Sequence, residues 1–162
     1  MTNRINRTIL IVDDDLEILA YYFKLFEAKD MALLDILGDE EQPRRWHPTI
    51  RHYDPLKFDE MFEKMVRYGV FHPVCLVDLR MPVPPYGHID PRRGVATARH
   101  VRGLDPRIHI IISTADPDAD GAEIVAEVGG STHFYRRPFK DGEEQQFCAK
   151  VRELIDSWNG DR

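Results

Sequence analysis

Five short runs of apolar, largely β-branched residues alternate with longer stretches whose apolar residues recur at helical spacing, and no other feature restricts this chain as much. The runs lie at 8–12 (Thr-Ile-Leu-Ile-Val), 49–53, 74–77 (Val-Cys-Leu-Val), 108–112 (Ile-His-Ile-Ile-Ile) and 133–135. An unbroken β-branched run suits a strand covered on both faces, the condition of a parallel sheet. Helices are expected at 16–29, 56–68, 95–101, 122–128 and 143–158. The first aligns Leu16, Leu19, Ala20, Phe23 and Phe26 on one face, and the second Phe58, Met61, Phe62 and Met65. The last aligns Phe147, Val151, Leu154, Ile155 and Trp158. Strand–helix alternation repeated five times reads as an open α/β sheet, with right-handed crossovers placing helices on both faces.

The 162 residues, 43% of them apolar, suffice for one core, and the reading is a single domain with its core at about 8–158. Two stretches exceed the minimal pattern. Residues 28–48 hold an expected short helix at 31–37 and an acidic, proline-bearing loop. Residues 83–93 hold Pro84, Pro85 and Pro91 and read as an elongated, ordered loop. A net charge of −6 argues against direct nucleic-acid binding. No apolar run reaches the 18 or so residues of a membrane span, and no signal peptide is legible, so a cytoplasmic location without membrane contact is expected. Cys75 and Cys148 make neither a disulfide scaffold nor a zinc module, and Cys75 reads as a buried strand residue. The seven histidines have no metal-ligand spacing, and the pairs Arg44-Arg45 and Arg92-Arg93 read as solvated.

In sheets of this kind, ligands bind beyond the carboxyl ends of the strands. The first run is followed by Asp13-Asp14-Asp15, the third by Asp78-Leu79-Arg80-Met81-Pro82, the fourth by Ser113-Thr114-Ala115-Asp116 and the fifth by Arg136-Arg137-Pro138-Phe139. Carboxylates crowded together raise one another's pKa unless a cation intervenes. Mg²⁺ solves this, because it takes one or two carboxylates, keeps several waters and leaves room for phosphate oxygens. An aspartate beside it is a competent nucleophile toward a phosphoryl group. A hydroxyl and a basic side chain would then share the phosphoryl oxygens.

Ile-Leu-Ile-Val-Asp-Asp-Asp, Leu-Val-Asp-Leu-Arg-Met-Pro, Ser-Thr-Ala and Arg-Arg-Pro-Phe, in that order, resemble the receiver domain of two-component response regulators over nearly the whole chain. The resemblance implies a flavodoxin-like doubly wound sheet of five parallel strands in the order 2-1-3-4-5. It implies that Asp13 and Asp14 bind Mg²⁺ with Asp78 and the backbone carbonyl of Arg80, that Asp78 is the phosphoacceptor, and that Thr114 supplies the hydroxyl. Gly94 matches the glycine opening the third helix, Phe134 the switch aromatic, and the bond before Pro138 a cis peptide. Receivers carry lysine where this chain has Arg137, which keeps the charge with a bulkier, planar head. The function implied is signalling, with a phosphoryl group accepted from a histidine kinase or phosphotransfer protein and passed on as a surface change. An output domain or effector protein, and a homodimer through the fourth and fifth helices, are further implied partners. The domain would catalyse its own phosphorylation and dephosphorylation but act on no external substrate.

Other readings stand beside these. Asp15, directly before Leu16, reads as a helix cap. Ser113 competes with Thr114 if the register differs by one residue. Arg137 is either the phosphate contact or a surface cation paired with Asp141 or Glu143, and Phe134 either core packing or a working switch. Two other functions compete: a pseudo-receiver that is never phosphorylated, favoured by Arg137, and a Mg²⁺-dependent aspartyl-phosphate phosphatase. The latter needs a second carboxylate two residues after the nucleophile, where Arg80 stands.

Overall fold

The computed structural model describes residues 8–28, 33–35, 44–46, 49–84 and 87–158. Its elements run β1 (Thr8–Val12), α1 (Leu16–Ala28), β2 (Leu33–Asp35), β3 (Arg44–Trp46), β4 (Thr49–Tyr53), α2 (Pro55–Arg67) and β5 (Val74–Asp78). These are followed by β6 (Met81–Val83), β7 (His88–Asp90), α3 (Arg93–Leu104), β8 (His109–Thr114), α4 (Gly121–Val128), β9 (Thr132–Arg136) and α5 (Glu143–Ser157).

The main sheet is parallel throughout, with strand order β4-β1-β5-β8-β9, which is the expected order 2-1-3-4-5 of its five strands. Each central strand alternates its side chains between two layers. Leu10 and Val12 of β1 join Cys75 and Val77 of β5 and Ile110 and Ile112 of β8 under α2, α3 and α4. Ile9, Ile11, Val74, Leu76 and Ile111 meet α1 and α5 on the other face. Both layers exclude water, so the strands carry apolar residues without alternation.

The helices differ from the sequence reading in phase. In α1 Phe26 is buried as expected, but beside Tyr22 and Leu25, whereas Leu16 and Phe23, expected to face the core, are 70% and 43% exposed. Rotation by one position places Tyr22 and Phe26 against Phe147 of α5, with Phe26 and Phe147 stacked at 6.0 Å between centroids. In α2, Phe58 and Phe62 are buried as expected, but Met61 is exposed. Asp54 caps that helix by accepting the Leu56 N–H, and Pro55 fills its first turn.

Both extra stretches fold otherwise than expected. Leu33–Asp35 is not helical but a short strand paired antiparallel with Arg44–Trp46, and the flanking residues 31, 32, 36 and 37 lie outside the described residues. A three-residue segment, Leu33-Leu34-Asp35, is too short for its period to separate strand from helix. The expected loop at 83–93 is largely a hairpin, in which Met81–Val83 pairs antiparallel with His88–Asp90 before α3 begins at Arg93. Pro82, which has no N–H to donate, is tolerated because the hairpin is only two-stranded. Arg92 and Arg93 are ion-paired rather than merely solvated, with Glu127 at 2.6 Å and with Asp59 at 2.5 Å.

Candidate functional site

Parallel register brings the strand ends into line. Val12 lies beside Val77, Asp78 beside Ser113, and Thr114 beside Arg136. The residues that follow therefore emerge on one edge. Asp13, Asp14 and Asp78 each place a carboxylate oxygen there, and the three oxygens lie within 4.8 Å of one another. Asp13 is buried, Asp14 exposed and Asp78 intermediate.

Each carboxylate has its own surroundings. Asp13 accepts the backbone N–H of Asp15 at 2.8 Å. Asp15 accepts the N–H groups of Glu17 at 2.9 Å and Ile18 at 3.4 Å, so it caps α1 as its position before Leu16 led us to expect. Arg137 donates from Nη2 to Asp78 Oδ1 at 3.0 Å, and its side chain is 9% exposed. The alternative pairing of Arg137 with Asp141 or Glu143 is thereby replaced. The Arg137–Pro138 bond is cis, as the resemblance implied.

The electrostatics are those of crowded, half-desolvated acids. Burial, reinforced by the Asp13 charge, pushes Asp78 up to about 7, against the pull of Arg137. Burial likewise raises Asp13 to about 6, opposed by its bond from Asp15 and by Arg137. Both acids resist ionising together without a counter-charge. Three hard oxygen donors on a solvent-reachable edge fit a divalent ion of the Mg²⁺ type, which keeps waters in its remaining positions.

The two hydroxyls of β8 are separated by the pleat. Thr114 faces a cavity of about 490 Å³ that is also lined by Asp78, Arg80, Asp116 and Arg137. Its Oγ1 accepts the Asp116 N–H at 3.1 Å rather than contacting Asp78. Ser113 points to the opposite layer, where Tyr22 donates its hydroxyl to Ser113 Oγ at 2.9 Å. Thr114 is thus the hydroxyl beside the acids, and the register places both residues inside the strand rather than after it. Arg80 has an exposed side chain at the cavity mouth.

Gly94 packs against the acid-bearing strand end. Its N–H donates to Leu79 O at 2.8 Å, and a Cβ there would fall 2.2 Å from Asp78 O. Phe134 is half-buried against the α2–α4 layer, and its ring lies over Gly121 at the start of α4. Tyr22 was not legible as part of this neighbourhood. A tyrosine in an otherwise apolar helix stripe was its one signal, since a buried phenol needs a hydrogen-bond partner.

No protein-family model matches the chain, and no curated protein does so. Solved structures do match. A CheY-like response regulator receiver domain protein from Methanospirillum hungatei JF-1 aligns with 93% of this chain and 94% of its own, at TM-score 0.57 and 16% identity. A protein from Burkholderia pseudomallei K96243 described as pilus assembly-related aligns over 98% and 96% at TM-score 0.60 and 10% identity. The beryllofluoride-activated NtrC4 receiver domain dimer aligns over 92% and 98% at TM-score 0.55 and 20% identity. The chain has the fold of response regulator receiver domains.

Proposed function

We propose that this chain is a phosphoacceptor switch that takes a phosphoryl group from a histidine kinase or phosphotransfer protein onto Asp78. The observation that carries the reading is the Asp78 carboxylate itself, held by Arg137 at 3.0 Å within a three-carboxylate edge. An Asp78 oxygen would form the new P–O bond as the P–N bond of the donor phosphohistidine breaks, and the leaving imidazole takes its proton from solvent. Only the ionised carboxylate is nucleophilic, so its raised pKa must be offset during transfer. Asp13, Asp14 and Asp78, with the Arg80 carbonyl, would hold Mg²⁺, which supplies charge neutralisation to the acids and to the phosphoryl oxygens. Arg137 would follow the phosphoryl oxygens with charge-assisted hydrogen bonds, and Thr114 would turn from Asp116 to a third oxygen.

A phosphoryl group adds about −1.5 to −2 charge and redistributes those contacts, biasing the surface around Phe134, α4 and α5. That surface would meet an output domain, an effector protein or a second copy of the chain. Among the described residues no helix is long and apolar enough to cross a membrane, and the reading places the chain in the cytoplasm. Two of the similar solved structures are beryllofluoride-activated receiver domains, which supports testing this chain with the same phosphoryl analogue.

Incubation with acetyl phosphate and Mg²⁺ is expected to add one phosphoryl mass to the protein, located on Asp78 by peptide mapping. Asp78→Asn and Asp14→Ala should each abolish it with the fold intact, because each also relieves like-charge crowding. Absence of any incorporation by the parent, with no beryllofluoride binding, would leave a pseudo-receiver interaction module as the function. Turnover of small phosphate esters would instead indicate the phosphatase.

Arg137 yields a second expectation. Arg137→Lys should preserve or improve switching, because a charged donor to Asp78 is retained in a smaller head. Arg137→Ala should still incorporate phosphate yet leave Phe134 unresponsive. Phosphoryl incorporation kinetics, read beside the Phe134 ring resonances, separate the two effects.

A further inference from the structure

One side chain at the end of β9 touches both the loop that follows Thr114 and the Phe134 ring. Arg136 is exposed, yet its guanidinium donates from Nε to Asp116 O at 3.3 Å and from Nη2 to Ala119 O. The same group lies over the Phe134 ring, 5.4 Å from its centroid. The Phe134 ring in turn rests on Gly121, where even a Cβ would come within 2.5 Å of it. Arg136 thus fastens the loop between β8 and α4 to β9 at two carbonyls, while its face covers Phe134, two residues earlier on the same strand.

The hydrogen bonds continue inward. Asp116, whose carbonyl Arg136 holds, donates its own N–H to Thr114 Oγ1 at 3.1 Å. Thr114 cannot turn toward Asp78 while that bond stands, and the residue supplying it is pinned from outside. A guanidinium suits this work, since its planar fork reaches two carbonyls while its face stacks on an aromatic ring. A lysine would make one such contact at a time.

We propose that Arg136 is a positioning residue that braces the resting arrangement, so that Thr114 and Phe134 are released together when the brace is dislodged. The inference rests on the phosphoacceptor reading and adds to it the residue that sets the switch's threshold. Because the brace stabilises one of two states, its removal shifts the equilibrium toward the other, and any ligand selecting that other state binds more tightly. A residue that only supported the fold would weaken both states alike and leave that affinity unchanged.

The test is titration of the full chain with beryllofluoride in the presence of Mg²⁺, comparing the parent with Arg136→Ala and Arg136→Lys. Arg136→Ala is expected to bind about fivefold more tightly, the lower end of ordinary coupling between sites, with Arg136→Lys between it and the parent. In the ligand-free Arg136→Ala protein, the Thr114 and Asp116 amide resonances should lie part-way toward their beryllofluoride positions. Unchanged affinity with unmoved resonances would overturn the brace, and weaker binding would make Arg136 a support of the active state instead. A parent that neither binds beryllofluoride nor incorporates phosphate would overturn the phosphoacceptor reading, a failure distinguishable because it precedes any comparison of variants.

Discussion

Gly94→Ala is expected to cost about 3 kcal/mol or more and to abolish phosphoryl incorporation, since among the described glycines its added methyl would meet the closest backbone atoms. The added Cβ would stand 2.2 Å from Asp78 O, 2.7 Å from Leu79 Cα and 2.9 Å from Asp78 C. All three are backbone atoms, so no rotamer change relieves the overlap. Either α3 moves off the sheet or the peptide after Asp78 moves out of line with Asp13 and Asp14. At roughly 2–4 °C per kcal/mol for a domain of this size, Tm should fall by about 6–12 °C. Gly103→Ala is the matched control in the same helix, where a Cβ meets nothing within 4 Å. It should be neutral or stabilising by up to about 1 kcal/mol.

Arg102→Ala should destabilise the fold by about 3 kcal/mol without touching the acid edge. The guanidinium accounts for the carbonyls of Gly129 at 3.1 Å, Pro106 at 3.1 Å and Ser131 at 2.7 Å, that of Ile108, and Thr132 Oγ1 at 3.2 Å. It thereby ties α3 to both the approach to β8 and the turn entering β9. Removing it exposes those carbonyls to imperfect substitution by water, each a charge-assisted bond lost. Arg102→Lys should recover only a minor part, since one ammonium cannot reach acceptors spread across two turns. Denaturant unfolding gives the loss directly. Faster amide exchange at Ile110, which donates to Ser131 O at 2.9 Å, would localise it to the β8–β9 end of the sheet.

The central strands were legible because burial on both faces leaves a period-free apolar run, and β1 begins and ends where that run does. The edge strand β4, Thr-Ile-Arg-His-Tyr with Arg51 exposed, carried a weaker signal although its bounds also match. β8 and β9 extend past their apolar cores, so Ser113, Thr114 and Arg136 lie within strands that composition alone cuts short. The acid positions were equally legible, since parallel strands of matched register must align their ends. Helix phase was less so. In α1 nearly every position is apolar, and several stripes compete until packing against Phe147 selects the one through Tyr22. The hairpin at Met81–Asp90 was hidden by its prolines, which argue against a central strand but not against a two-stranded ribbon. Arg102 and Arg136 could not be read at all, because most of their partners are backbone carbonyls, and every residue type supplies those.

The hairpin also has a consequence for how this chain tolerates change. The Gly94 N–H returns to Leu79 O, so the segment between them leaves the sheet and comes back to one peptide. Whatever lies beyond that closure is, topologically, an appendage on a finished strand. The entropy of closing a loop grows only with the logarithm of its length, about 0.6 kcal/mol per doubling. Grafting a peptide between Val83 and His88 should therefore leave Asp78 where it is, while Met81, fully buried, marks how close to the base such surgery may come. The site open to insertion, after Val83, thus lies only two residues from a side chain with no room to move.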